Sequence, residues 1–181
     1  MGESPGKLAE PGQAGFINNR GNGMAIPVDA LIVIDASEIP AGNFFLLDGK
    51  WFLSVKSSNQ ASAKTCSVQL TGGTAGAFAG QSYGDATYFG NGYRIEARVE
   101  GMGDAVSGNS EPWDASIILG SKPVILCRAQ TALLFYDLAG NAATGEECSG
   151  DRRRFKNWSG WLIGPDGNAV GTEPVFEVTA V

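Results

Sequence analysis

Short apolar stretches of strand length, separated by glycine-rich turns, run from residue 26 to the end of the chain. In most of them apolar and polar residues alternate, and side chains on one face of a β-strand have this same period of two. Glycine accounts for 26 of the 181 residues, and no window shows the 3.6-residue period of an amphipathic helix. We therefore predict an all-β protein, either a sandwich or a jelly-roll-like antiparallel barrel of about ten short strands.

The clearest local signal is a hairpin. Asp48-Gly49 separates the apolar stretches 43–47 and 50–56, and both residue types tolerate the positive φ angles of a two-residue hairpin turn. Alternation or short apolar runs predict further strands over 26–34, 63–71, 86–89, 93–100, 114–119, 123–128, 131–138, 155–163 and 174–181.

The first 24 residues differ in composition from the rest of the chain. They contain six glycines, two prolines and few large apolar side chains, so they cannot bury enough surface to offset the entropy lost on ordering. We predict that residues 1–24 form an extended assembly arm and that residues 25–181 form a β-sandwich domain. Leu8, Phe16 and Ile17 are the large apolar side chains with which this arm would anchor to a partner.

Charge and residue types exclude several functional classes. Thirteen basic residues against nineteen acidic ones give a net charge of -6, which disfavours binding to the phosphate backbone of nucleic acids. No apolar run approaches the ~20 residues of a membrane-spanning helix. The chain contains no histidine, which is the usual general base and the commonest zinc ligand. We expect no catalytic residues, no cofactor and no metal site.

Carboxylates would have to carry any acid–base chemistry in a chain without histidine. Glu96 and Glu100 alternate along one predicted strand with Ile95 and Val99. Two carboxylates are able to cleave a glycosidic bond, which would make the protein a carboxylate-only hydrolase. Arg94 and Arg98 lie on the same face, however, and we favour a solvated strand face that is neutralised by cross-strand pairs.

Tryptophans suggest a second class of function. Trp158 and Trp161 are three residues apart, which places them on opposite faces of a strand, one in the core and the other exposed or at an interface. Trp113 lies between predicted strands. Exposed aromatic rings on a β-sandwich would stack on sugars, so a carbohydrate-binding or adhesin module is the alternative function.

The one basic cluster in this acidic chain is a candidate electrostatic contact. It consists of Arg152, Arg153, Arg154 and Lys156. Such a cluster would complement a negative patch on a neighbouring subunit, although a solvated strand entry is the ordinary role of a short charged run.

Three cysteines fit neither an even disulfide framework nor a paired metal-binding spacing. Cys66 and Cys127 lie in strand patterns and are expected to be small buried hydrophobes. Cys148 lies in a polar loop, and it would form a disulfide with Cys127 if that loop folded back.

A strand ending in Cys127, then Cys148, then Trp158-Ser159-Gly160-Trp161 resembles the C-terminal half of the minor pseudopilins. The likeness extends over residues 124–161 only. The N-terminal Phe-Thr-Leu-x-Glu helix that defines that family is absent, and the glycine- and proline-rich arm takes its place. This resemblance implies a pilin-like filament subunit, which we keep as a minor alternative.

The chain as a whole resembles, in style, the capsid cement and decoration proteins of tailed bacteriophages. The shared features are an acidic chain with no evident export signal, a glycine- and proline-rich arm and a compact β domain without a catalytic constellation. The resemblance implies a non-enzymatic virion protein, synthesised in the host cytoplasm, which binds the major capsid protein or further copies of itself. It also implies a homo-oligomer whose arm lies across neighbouring subunits.

Overall fold

The computed structural model describes residues 25–57, 65–105, 115–129, 132–144 and 152–179. This part of the chain folds into three antiparallel sheets and two short 3-10 turns, Val28–Ala30 and Ala36–Glu38. The prediction of an all-β, sandwich-like fold is therefore confirmed. The alternative of a jelly-roll-like barrel is wrong, because no sheet closes on itself within the described ranges. Those ranges also hold fourteen strands rather than ten.

Sheet A contains the first six strands. They are β1 (Leu31–Asp35), β2 (Phe44–Leu47), β3 (Lys50–Lys56), β4 (Thr65–Gln69), β5 (Phe78–Gly80) and β6 (Asp85–Phe89). Their order across the sheet is β1-β6-β2-β3-β4-β5, so β1 and β5 form its edges. β6 lies between β1 and β2 because the chain returns after β5 to pair with both of them.

Sheets B and C contain the remaining strands. They are β7 (Arg94–Val99), β8 (Asp104–Ala105), β9 (Ile117–Leu119), β10 (Pro123–Ala129), β11 (Ala132–Asp137), β12 (Arg153–Phe155), β13 (Asn157–Ile163) and β14 (Phe176–Thr179). Sheet B has the order β11-β10-β9-β12-β8, and sheet C has the order β14-β13-β7. The predicted strand 155–163 is thus two strands in different sheets, since the chain changes sheet at Lys156.

The β2–β3 hairpin forms as the sequence predicts. Asp48 has φ 50° and Gly49 has φ 73°, which is the pair of positive angles that a type I′ turn requires. The register places Leu47 opposite Lys50 and Phe44 opposite Leu53. The turn therefore fixes which side chains of β2 and β3 face the core.

One cluster of buried side chains draws on all three sheets. Phe176 of sheet C lies at its aromatic centre, with ring centroids 4.7 Å from Trp51, 5.7 Å from Trp158 and 5.8 Å from Phe44. Gly160 lies opposite Phe176 on the neighbouring strand, and a Cβ atom at this position would overlap the Phe176 ring. The sheets are thus held together by close packing of large aromatic rings.

The predicted strand over 26–34 begins later than the pattern indicates. The Ala30 N–H donates to the Pro27 carbonyl at 3.0 Å, which closes a 3-10 turn before Leu31. Pro27 fixes its own φ and has no N–H to offer a neighbouring strand, so the strand starts only after this turn. The proposed division into residues 1–24 and 25–181 stays a prediction, because the first 24 residues lie outside the described ranges.

Candidate functional site

Among the described residues, strand β1 forms an apolar edge of sheet A that has a neighbouring strand on one side only. It pairs on one side with β6, with Val33 opposite Thr87. Val33 is 62% exposed and Leu31 is 40% exposed, and Val28 in the preceding 3-10 turn is 86% exposed. Three large aliphatic side chains are therefore in water along one short segment, although residues of this type are normally buried.

The hydrogen bonds at the two ends of β1 show which of its backbone groups face outward. The Gly90 N–H donates to the Ala30 carbonyl at 3.0 Å, and the Ala36 N–H donates to the Gly84 carbonyl at 2.9 Å. In an antiparallel pair, residues that bond to the neighbouring strand alternate with residues whose N–H and C=O point away from it. The even-numbered residues of β1 therefore bond to β6, and the odd-numbered residues face the open edge.

Four backbone groups remain free on that open edge within the described part of the chain. The Leu31 N–H is already used, because it donates to the Val28 carbonyl. The Asp35 carbonyl is also used. Asp35 is the N-cap residue of the 3-10 turn Ala36–Glu38, and the carbonyl of an N-cap residue accepts the first backbone bond of the turn. The free groups are thus the C=O of Leu31, the N–H and C=O of Val33, and the N–H of Asp35.

The carboxylate of Asp35 is held in place at the end of this edge. It accepts hydrogen bonds from the Ser37 hydroxyl at 2.5 Å, the Ser37 N–H at 2.9 Å and the Gly84 N–H at 3.1 Å. The hydrogen bonds from Ser37, followed by that from Gly84, lower the pKa of Asp35. The side chain is therefore charged at neutral pH, and its bonds fix the point at which β1 ends.

The other sheet edges in the described ranges are shorter, charged or covered. β5, β8 and β14 have three, two and four residues, and β7 carries alternating charged side chains. The long edge of β11 is covered by its own continuation, because the Ala143 N–H donates to the Phe135 carbonyl at 2.8 Å and Ala142 bridges to Tyr136. Compared with these edges, β1 has the features of a surface that accepts another strand.

Trp158 does not lie at a surface. It is 1% exposed, and its Nε1 donates to the Ala115 carbonyl at 2.8 Å inside the core. Its prediction as an interface or glycan-stacking residue is wrong, because this face of β13 packs against Phe176. Trp113 lies outside the described residues, so its role stays a prediction.

Trp161 lies on the opposite, outer face of sheet C, as its spacing from Trp158 predicts. Its ring is half-buried, and its Nε1 donates to the Ser159 hydroxyl at 3.0 Å. The Arg98 guanidinium lies 4.6 Å from the ring centroid, and its Nε pairs with the Glu96 carboxylate at 2.9 Å. One face of the indole is therefore covered by a cation. The predicted solvated face of β7 is confirmed, but the ion pair joins two residues of β7 and is not a cross-strand pair.

The four basic residues of the predicted electrostatic cluster do not form one surface. Arg153 is exposed, and Arg152 and Lys156 are half-buried. Arg154 is only 2% exposed and donates from Nε to the Ser116 hydroxyl at 2.8 Å. Its prediction as a surface contact is wrong, because alternation along β12 turns this side chain towards the interior.

Cys127 is a fully buried free thiol, as its apolar strand pattern predicts. Burial raises its pKa to about 12, so it is neutral and unreactive at physiological pH. Cys66 is a half-buried free thiol. Cys148 lies outside the described residues. The predicted disulfide between Cys127 and Cys148 is wrong, because Cys127 is a free thiol.

A small pocket of about 230 Å³ opens where sheets A and C meet the end of β11. Its lining consists of Gly42, Asn43, Phe44, Phe89, Arg94, Ile95 and Leu138. This volume is below the ~300–1,000 Å³ of typical ligand pockets. Arg94 is its one charged residue, so the described lining brings no acid and base together.

Metal-binding clusters and membrane-spanning helices are absent from the described residues. No three Asp, Glu or Cys side chains gather there in a way that would hold a metal ion. No helix in this part of the chain has the length and apolar character needed to cross a membrane. The predicted arm anchors Leu8, Phe16 and Ile17 lie outside the described ranges.

Comparisons with protein-family models, with curated proteins and with solved structures give no match to this chain. Function must therefore be inferred from the molecule itself. The open edge of β1 is the feature that most needs an explanation, and it is not among the features that the sequence predicts. The stretch Leu31–Asp35 indicates a strand, but nothing local to it shows that only one side of that strand is paired.

Proposed function

We propose that this protein is a non-enzymatic structural protein of a viral particle, which decorates or stabilises a capsid lattice through contacts between subunits. The observation that best supports this proposal is the open apolar edge of β1. Natural proteins commonly protect such edges with lysine, proline, bulges or a covering segment. β1 contains no lysine or proline and pairs with β6 in an unbroken register. An edge of this kind serves to pair with another chain.

In this proposal a rigid sandwich-like body binds the lattice, and residues 1–24 lie along a neighbouring subunit. Ordering such an arm costs about 1–2 kcal/mol per residue. Backbone pairing would offset part of that cost, and burial of Leu8, Phe16 and Ile17 would offset the rest. The exposed Arg153 is available to meet an acidic patch on the partner, which is the major capsid protein or another copy of this chain.

The test is quantitative mass spectrometry of gradient-purified viral particles from cells that express the gene. We expect the full-length chain in the particle fraction at a fixed copy number. A chain that lacks residues 1–20 should keep its circular dichroism spectrum and remain in the unbound fraction, because its anchors Phe16 and Ile17 are lost. Particles without the protein, or normal binding of the truncated chain, would show the proposal to be wrong.

A matched pair of arm variants separates anchoring from simple loss of length. Replacing Leu8, Phe16 and Ile17 with serine should abolish particle binding, since it removes the apolar anchors. Replacing the polar residues Gln13, Asn18 and Asn19 with serine changes as many positions in the same arm. The second variant should bind as well as the wild-type chain.

Carbohydrate binding is the second candidate, and the outward position of Trp161 favours it. Arg98 covers one face of the indole, so a sugar would have to stack on the other face. Titration with an oligosaccharide panel would then change the tryptophan fluorescence in a saturable manner. The change should be lost in Trp161→Ala and kept in Arg153→Ala. No saturable change with any oligosaccharide would remove this candidate.

A further inference from the structure

We propose that the open edge of β1 pairs with β1 of a second copy of this chain, antiparallel and about a two-fold axis at Val33. The inference deepens the proposed function, because it names the occupant of the edge on which that proposal depends. Two six-stranded sheets would then become one continuous sheet that crosses the dimer. Closed two-fold pairing of this kind is the commonest symmetry of soluble homo-oligomers.

The free hydrogen-bonding groups of the edge are complementary to themselves. With Val33 opposite Val33 of the second copy, the two residues exchange both of their N–H···O=C bonds. The N–H of Asp35 then meets the C=O of Leu31 in the second copy, and the reverse pair forms at the other end. Every free group on both edges finds a partner, so no polar backbone group is buried without a hydrogen bond.

Other registers do not achieve this match. Shifting one strand by two residues places Val33 opposite Asp35 or Leu31 of the second copy. The Leu31 N–H is already bonded to the Val28 carbonyl, and the Asp35 carbonyl, as that of an N-cap residue, is taken by the turn Ala36–Glu38. One of the two bonds that Val33 should exchange would then be missing. The turns on either side of β1 thus select the register that is centred on Val33.

Side chains and charges favour the same register. The exposed side chains of Leu31 and Val33 lie on one face of β1, and pairing brings the two Val33 side chains together out of water. Asp35 is the only charged residue of β1, and the register places it opposite Leu31 of the second copy. The two Asp35 residues lie about 14 Å apart along the strands, beyond the ~8 Å Debye length at physiological ionic strength. Two copies of an acidic chain can therefore pair here without close contact between like charges.

A cysteine at the axis tests the register directly. Opposed residues in a hydrogen-bonded antiparallel pair have Cα atoms about 5.5 Å apart, within the ~4.4–6.8 Å range of disulfides. We expect Val33→Cys to form a covalent dimer in oxidised glutathione, as shown by non-reducing electrophoresis. The wild-type chain, with its three native cysteines, measures the background of other disulfides.

Val28→Cys is the matched control, because Val28 is more exposed than Val33 but lies five residues from the axis. It should stay monomeric, since its counterpart in the second copy is at the opposite end of the paired strands. Equal rates of cross-linking for Val28→Cys and Val33→Cys would mean random collision and would overturn the inference. No covalent dimer of Val33→Cys above the wild-type background would also overturn it.

Light scattering of the full-length chain gives a second test without cross-linking. The wild-type chain should have twice the mass of one chain, and Val33→Lys should lose the dimer while keeping its circular dichroism spectrum. Val33→Thr keeps a branched side chain suited to a strand and should remain dimeric. A wild-type chain that is monomeric up to its solubility limit would show the inference to be wrong.

The truncated chain without residues 1–20 separates this inference from the proposed function. We expect it to remain a dimer although it fails to bind particles. Loss of the dimer on truncation, with Val33→Lys still dimeric, would assign the dimer contact to the arm and overturn the pairing of β1 with itself. A dimer that forms as expected in a protein absent from viral particles would leave this inference standing and remove the proposed function.

Discussion

The hydroxyl of Tyr136 lowers the stability of the folded protein, because it is buried without a hydrogen-bond partner in the described part of the chain. The residue is fully buried, and its ring stacks on Phe78 with centroids 6.1 Å apart. Its hydroxyl has no hydrogen-bond partner among the described residues. Leaving a buried donor unsatisfied costs about 1–3 kcal/mol. The aromatic ring of Tyr136 therefore stabilises the folded state, and its unpaired hydroxyl destabilises it.

We predict that Tyr136→Phe raises the free energy of unfolding by about 1 kcal/mol, because it removes the unsatisfied hydroxyl and keeps the ring. Urea denaturation at pH 7 would measure the change. Tyr88→Phe, at a half-buried position on β6, should change the stability by less than about 0.5 kcal/mol. A clear loss of stability in Tyr136→Phe would show that the hydroxyl is bonded in solution.

Stability should fall in alkaline solution because of two buried acids. Desolvation raises the pKa of Cys127 to about 12 from 9.0, and chiefly the same cause raises that of Tyr136 to about 12 from 10.0. The folded state holds these protons after the unfolded chain has lost them, so the stability is complete below pH 9 and declines towards pH 12. Urea denaturation should give a lower free energy of unfolding at pH 10.5 than at pH 8, and the difference should be smaller in Tyr136→Phe. Equal values at both pH values in the wild-type chain would contradict this prediction.

At the scale of the element, two turn residues determine the geometry of the β2–β3 hairpin. That geometry sets the register of both strands and therefore the face on which each of their side chains lies. Positive φ at Asp48 and Gly49 lets the strands meet with a two-residue turn. A slip of one residue would turn every side chain of β3 to the other face of the sheet. Trp51, Leu53 and Val55 would then leave the cluster that the three sheets share. The turn therefore determines how the side chains of β3 pack, in addition to joining the two strands.

We predict that Gly49→Ala lowers the free energy of unfolding by about 1–2 kcal/mol, because an L-residue is strained at positive φ. Asp48→Asn should be nearly neutral, since Asn-Gly is an equally favoured pair in this turn. Urea denaturation of both variants would measure the difference. Equal stability of the two variants would indicate that the turn relaxes to another type.

At the scale of the whole molecule, the three sheets share one core. Phe176 of sheet C contacts aromatic rings of sheet A, and Ile117 and Ile125 of sheet B belong to the same cluster. Sheets that share a core in this way lose their packing together. The described part of the chain should therefore unfold as a single cooperative unit.

We predict that Phe176→Ala lowers the free energy of unfolding by about 3–5 kcal/mol, because it leaves a cavity among three aromatic rings. Far-ultraviolet circular dichroism and tryptophan fluorescence should shift together, since both report the same transition. Tyr83→Ala, at an exposed position, should change the stability by about 0.5 kcal/mol or less. Two separate transitions in the wild-type chain would show that the sheets unfold independently.

Local geometry made part of this molecule predictable from its sequence. The turn at Asp48-Gly49, the alternation over Arg94–Arg98 and the opposite faces of Trp158 and Trp161 all follow from backbone geometry over a few residues. The same reasoning placed Cys127 in the interior. Each of these predictions is confirmed, because the signal and its structural consequence lie in the same short segment.

Strand order, by contrast, was decided only by the tertiary structure. The sequence of Leu31–Asp35 predicts an ordinary apolar strand. It is an edge strand in the described part of the chain because β6, about fifty residues further along the chain, pairs with it on one side only. Arg154 reads as part of a charged surface run, and it is buried because its side chain points inward beside Ser116, thirty-eight residues away. The two-residue alternation of apolar and polar side chains and the residue types of the turns specify where the strands are. Long-range pairing of the chain determines which strand has a neighbour on each side, and a short segment carries no information about that pairing.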